Sequence, residues 1–71
     1  MSYMSDPVAD MLARIKNAYT ANMETVNIPF SKLKGEIARI LEEEGFIRSY
    51  EVKKEEGIQG VIKIHLKYNN E

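Results

Sequence analysis

Apolar positions along the chain fall into two stripes at helical spacing and three runs that alternate with period two. Val8, Met11, Leu12, Ile15 and Tyr19 recur every three or four residues and predict a first helix from about Pro7 to about Ala21. Asp6 stands where its carboxylate can cap free amides, and Pro7 sits in the first turn, where a missing N–H costs nothing. Asn22 is placed to end that helix in a left-handed conformation. Glu24 to Ile28 alternates and stops at Pro29, which predicts a short strand with Val26 and Ile28 facing inward.

Ser31 is the next capping residue. Leu33, Ile37, Ile40 and Leu41 predict the buried stripe of a second helix, closed by Gly45, with Phe46 available for the apolar contact that follows such caps. Phe46 to Lys54 reads as a second strand, with Tyr50 and Val52 on one face. Glu55-Glu56-Gly57 reads as a turn. Ile58 to Tyr68 is the clearest strand: Ile62, Ile64, Leu66 and Tyr68 point one way, and Val61, Lys63, His65 and Lys67 the other. Met1–Met4 and Asn69–Glu71 carry no periodicity.

The order helix-strand-helix-strand-strand, with one apolar face per strand, predicts an α+β, two-layer domain. Two helices cover one face of a three-stranded sheet, and the last two strands form an antiparallel hairpin. The pattern leaves open whether the first strand pairs with the second or the third.

Composition changes this picture little. With 71 residues, 44% hydrophobic and 30% charged, the chain has room for one small globular domain. Cysteine is absent, so disulfides and thiolate chemistry are excluded, and a reducing cytoplasm is the expected compartment. No apolar run approaches membrane-spanning length. The net charge of −1 argues against a strong general nucleic-acid binder, but the charge is uneven. Residues 1–41 hold five basic and four acidic side chains, whereas residues 42–71 hold five and seven, so a local anionic contact in the first half survives.

Candidate chemistry narrows to that half. His65 lies among lysines on the polar face, with no ligands converging on it and no oriented base, so neither a metal site nor a catalytic centre is expected. Asp6 and Asp10 are explained by capping and by an Asp10–Arg14 pair at i,i+4 spacing. The four glycines are scattered and form no phosphate-cradling loop. The aromatic residues do not gather on one sheet face as a stacking platform. Lys32 and Lys34, by contrast, occupy the first turn of the second helix with no acid before Glu36, against the helix dipole. Together with Ser31 and the free amides they compose a phosphate site, or they are two solvated lysines that the fold tolerates. Arg14, Lys16 and Asn17 on the outer face of the first helix are further donors for phosphate or a base edge.

The run Ser5-Asp6-Pro7-Val8-Ala9-Asp10-Met11-Leu12-Ala13-Arg14-Ile15-Lys16-Asn17-Ala18 closely resembles the opening motif of the bacterial small-subunit ribosomal protein eight family. Three further blocks match in order: Ile28 to Lys34, Ile40 to Ile47, and Ile64 to Tyr68. The resemblance implies a non-enzymatic RNA-binding protein that helps organise the central domain of small-subunit ribosomal RNA on the cytoplasmic ribosome. Its implied partners are that RNA and neighbouring small-subunit ribosomal proteins, with no cofactor, membrane or small-molecule substrate. Carried over position by position, the implied contacts are Ser5, Asp6, Pro7, Arg14, Asn17, Ser31, Lys32 and Lys34. The family continues into a carboxy-terminal domain that makes the principal RNA contact, and this chain stops where that domain would begin. The whole of residues 1–71 is therefore expected to correspond to the amino-terminal domain. The other reading is a docking module for the missing domain and for neighbouring ribosomal proteins, using the polar sheet face and the open sheet edges.

Overall fold

In the computed structural model, which describes residues 6–68, the order of elements follows the hydrophobic pattern. They are α1 (Pro7–Thr20), β1 (Thr25–Pro29), α2 (Lys32–Glu43), β2 (Ser49–Glu55) and β3 (Ile58–His65). The strands form one antiparallel sheet in the order β1-β3-β2. This settles the pairing that the pattern left open. The β2–β3 turn forces those strands together, and β3 accepts β1 on its other side. Both edge strands suit an edge: β1 ends in a proline, which cannot donate to a ladder, and β2 is charged along most of its length.

The core lies between the sheet and the two helices. Ile62, Ile64 and Leu66 are buried from the centre, Ile28 from β1, Met11, Ile15 and Ala18 from α1, Ala38 from α2, and Ile47 from the segment before β2. Half-buried Val26, Phe30, Ile37, Leu41, Tyr50 and Tyr68 pack around them.

Each helix starts and stops on a local signal. Asp6 accepts from the amides of Val8 (3.0 Å) and Ala9 (3.2 Å), and Ser31 Oγ accepts from Lys34 N–H (3.1 Å). Both helices end in a pair of reversed hydrogen bonds closed by a left-handed residue. After α1, Asn22 (φ 58°) donates to Tyr19 and Met23 to Ala18; after α2, Gly45 (φ 82°) donates to Glu42 and Phe46 to Leu41. Each pair satisfies carbonyls that the helix would otherwise orphan.

The structure corrects several expectations. Leu33 and Ile40 are not buried: they are 54% and 47% exposed, as Leu12 of α1 is at 44%. The inward direction of α2 runs through Ala38, whose small side chain lets the helix come close to the sheet. Leu33, Ile37 and Ile40 lie roughly 100–160° round the helix from it. Phe46 is 65% exposed, and Ile47 takes the inward place instead. The second strand starts at Ser49 rather than Phe46, because Phe46 is spent closing α2 and pairing with β3 resumes only at the Arg48 N–H···His65 carbonyl bond. The turn contracts to Glu56-Gly57, with a register irregularity between Lys53 and Glu55, and the regular part of the third strand ends at His65.

One side chain ties three segments together. The Tyr19 hydroxyl donates to the Phe46 carbonyl (2.6 Å) and accepts from Lys67 N–H (3.2 Å), joining α1, the loop after α2 and the segment after β3. Its ring meets Tyr68 edge-on at 5.3 Å, and the Tyr68 hydroxyl donates to the Met23 carbonyl (2.6 Å). That side of α1 therefore faces the loop after α2 and the segment after β3, and Leu12, seven residues before Tyr19, lies on the same side.

Candidate nucleic-acid interface

Two helix starts were expected to meet an anion, and their chemistry differs. At the start of α1 the Asp6 carboxylate occupies the free amides, so the positive end of the helix is already neutralised within the chain. Pro7 contributes no N–H. At the start of α2 the only side-chain acceptor among the described residues is the neutral Ser31 hydroxyl, and the first turn holds Lys32 and Lys34 and no acid. The first acid beyond them, Glu36, is held by Arg39 (3.0 Å), which also reaches Glu43 (2.8 Å). The Glu36 hydrogen bond, followed by its charge, raises the Arg39 pKa above its ordinary value. Among the described residues no carboxylate lies within ion-pair distance of Lys32 or Lys34. The start of α2 thus keeps an unneutralised positive end, and the start of α1 does not.

Arg14 pairs with Asp10 through Nε at 3.0 Å, with both side chains at least half exposed, so its terminal nitrogens remain available. It shares a cleft with Pro29 and Gly60, and Pro29 lies two residues ahead of Ser31. Arg14 and the start of α2 therefore border the same end of the sheet. Asn17 is exposed one turn further along α1, toward the opposite end. Ser5 lies outside the described residues.

One basic side chain at this end escaped the sequence reading. Lys54 of β2 places its ammonium 4.1 Å from the centre of the Phe30 ring, one residue before the Ser31 cap. Gly60 makes room for the pair. A Cβ there would come within 2.8 Å of Lys54 Cγ, 3.1 Å of the Lys53 carbonyl oxygen and 3.3 Å of Phe30 Cβ. Residues 30, 54 and 60 are remote in the chain, so no local spacing announced this contact.

The outer sheet face is polar. His65, expected as a solvated histidine, is hydrogen-bonded through Nε2 to Glu51 at 2.7 Å. That bond holds the Glu51 carboxyl below its ordinary range, with smaller help from the His65, Lys53 and Lys63 charges against the opposing effect of burial. No three His, Cys, Asp or Glu side chains among the described residues are grouped to hold a metal. No helix among them is long and apolar enough to cross a membrane.

Residues 6–71 match the family described as Ribosomal protein S8. The chain is similar to the small ribosomal subunit protein uS8 of Clostridioides difficile (strain 630), 59% identical over 68 residues, covering 96% of this chain and 51% of the relative. It is 58% identical over 66 residues to uS8 of Solibacter usitatus (strain Ellin6076), covering 93% and 50%. It is 51% identical over 70 residues to uS8 of Acidobacterium capsulatum, covering 96% and 52%. The chain spans about half the length of the curated relatives it matches.

Proposed function

The chain belongs to the ribosomal protein S8 family, a family of ribosomal proteins and not of enzymes, and from that premise we propose that it is a structural RNA-contacting domain of the small ribosomal subunit. In this reading residues 1–71 correspond to the amino-terminal domain of the longer relatives. The domain helps organise the central domain of small-subunit ribosomal RNA on the cytoplasmic ribosome, beside neighbouring ribosomal proteins. The observation that carries the reading is the acid-free, doubly basic start of α2 in a chain of this family. Free amides, a hydroxyl and two ammoniums there suit a phosphate. Arg14 and Asn17 add donors on the outer side of α1, and Asp6 and Pro7 fix its start. Phosphate contacts of this kind position a protein on RNA without reading sequence.

Titration with an RNA fragment from the central domain of small-subunit ribosomal RNA tests the reading. The amide signals of Arg14, Lys32 and Lys34 are expected to shift. Replacing Lys32 and Lys34 with Ala is expected to weaken binding to all sequences alike and to flatten its salt dependence by about 0.9 per lost phosphate contact on duplex. Amide signals that do not move at saturating RNA refute it.

A second reading, docking of further polypeptide, draws on a different observation. Leu12 on α1 and Leu33 and Ile40 on α2 are left largely uncovered. Relatives about twice as long carry chain that could cover these residues. Pull-down with the separately expressed second half of a relative tests it, with loss of capture expected for Leu33→Ser with Ile40→Ser. Undiminished capture by that variant refutes it.

A further inference from the structure

The outer face of the sheet carries a second feature. One cleft on that face is lined by Asn27, Lys53, Glu55, Gln59, Val61 and Lys63. The cleft beside Arg14 shares Asn27, Gln59 and Val61 with it and continues past Pro29. The two form one trough, running from β2 across β3 and round the exposed edge of β1 to α1. We propose that this trough holds a single strand of RNA, with Lys53, Lys63 and Arg14 on successive phosphates and Asn27 and Gln59 beside the sugars and base edges. The inference rests on the reading above and names a second surface for the same class of ligand.

Charge decides the occupant. Among the described residues three cations line the trough, Arg14 with its Nε on Asp10, against one lining carboxylate, Glu55. The arrangement of Glu51 sharpens this. The strand register sets Glu51 directly opposite Lys63, where a cross-strand ion pair is the ordinary outcome. The carboxylate turns instead to His65, at 2.7 Å, and among the described residues no carboxylate lies within ion-pair distance of Lys63 or Lys53. Neither ammonium is held in an ion pair, although both still feel the nearby Glu51 charge, and the direct Glu51–Lys63 pair gives way to a diagonal cross-strand bond to His65.

Shape and chemistry favour a single strand over a duplex. Lys53 to Pro29 covers two inter-strand spacings, about 10 Å, before the path bends round the edge to Arg14. A flexible backbone follows such a bend, and a stiff helix does not. The floor offers Val61 and two amides. Gln59 is anchored by its Nε2 on the Phe30 carbonyl (3.4 Å), which leaves its side-chain oxygen for a donor such as a ribose hydroxyl. Among the described residues no aromatic ring lines either cleft, so binding here is led by the backbone and tolerant of sequence.

Fluorescence anisotropy of the 71-residue chain with a labelled oligouridylate of about a dozen nucleotides, repeated over a potassium chloride series, tests the assignment. The Lys53→Gln, Lys63→Gln double variant is expected to bind several-fold more weakly and to lower the magnitude of the salt slope by about 1.4, from about 0.7 per contact on a single strand. Lys67→Gln, outside the trough, is expected to leave both unchanged, and far-UV circular dichroism checks the fold of each variant. If the double variant binds the oligouridylate like the parent while Lys32→Ala with Lys34→Ala weakens binding to the ribosomal fragment, the trough assignment falls and the reading above stands. If neither pair of changes alters binding to either RNA, both fall. Tighter binding of an oligoglutamate than of oligouridylate, with the same dependence on Lys53 and Lys63, overturns RNA as the occupant.

Discussion

Tyr19→Phe removes one oxygen atom and nothing else, yet that oxygen joins three segments far apart in the chain. It donates to the Phe46 carbonyl at 2.6 Å and accepts from Lys67 N–H at 3.2 Å. The substituted ring keeps its volume and its edge-on contact with Tyr68, so no cavity enters the cost. Both partners lie near the surface, where water can replace the lost oxygen, so the full penalty of a buried orphan does not apply. Two net hydrogen bonds at about 0.5–1.5 kcal/mol each suggest a loss of about 1–3 kcal/mol. In a domain of this size that lowers Tm by about 4–24 °C. Tyr68→Phe, which removes a single bond to the Met23 carbonyl, is expected to cost about half as much. Urea unfolding followed by circular dichroism measures both, and an unchanged m-value confirms that stability alone has moved. Amide exchange adds a local check: the Lys67 N–H is expected to lose protection in Tyr19→Phe and to keep it in Tyr68→Phe. A Tyr19→Phe change within about 0.5 kcal/mol of zero, the range of inconsequential surface substitutions, refutes the clamp.

Asp6→Ala removes the acceptor for the Val8 and Ala9 amides and is expected to cost about 1 kcal/mol, read as a lower urea midpoint. Gly60→Ala sets two effects against each other. Restricting the unfolded chain favours alanine by about 0.4–1 kcal/mol. A Cβ 3.1 Å from the Lys53 carbonyl oxygen, on a strand that cannot yield as a side chain can, costs about 1–3 kcal/mol. Net destabilisation is expected, with altered Phe30 ring resonances, and a stabilised protein refutes the close packing. His65→Ala is expected to return the Glu51 carboxyl to its ordinary range, read from its side-chain carbon shift across a pH titration. Because folding lowers that pKa, the contribution of Glu51 is present at neutral pH and is lost as pH falls through the depressed value. An unmoved titration refutes the hydrogen bond as its main cause.

The contrast between the two helix starts bears on the functional reading. Both were expected to face an anion, and both are capped in the same way, but one cap is charged and the other is not. A carboxylate at the start of α1 makes the chain its own anion there. A hydroxyl at the start of α2 satisfies an amide and leaves the field of the helix, with two lysines in it, for something outside the chain.

The features legible in the amino-acid order were those decided within about five residues. The Asp6-Pro7 start, the left-handed stops at Asn22 and Gly45, the Asp10–Arg14 pair and the alternation of β3 all follow from local sterics and local hydrogen bonds. The basic first turn of α2 was legible for the same reason. What the tertiary structure alone decided were relations between remote segments. An apolar stripe says that a helix has a side to bury but not how it is rotated over a sheet, so Ala38 turned inward and Leu33 and Ile40 were left outside. Alternation says that a strand has two faces but not which neighbour it takes, so β3 became central. The Tyr19 clamp, the Lys54–Phe30 contact and the diversion of Glu51 from Lys63 to His65 join residues 14 to 48 positions apart. Such contacts depend on the simultaneous placement of every element, which no local window of the chain contains.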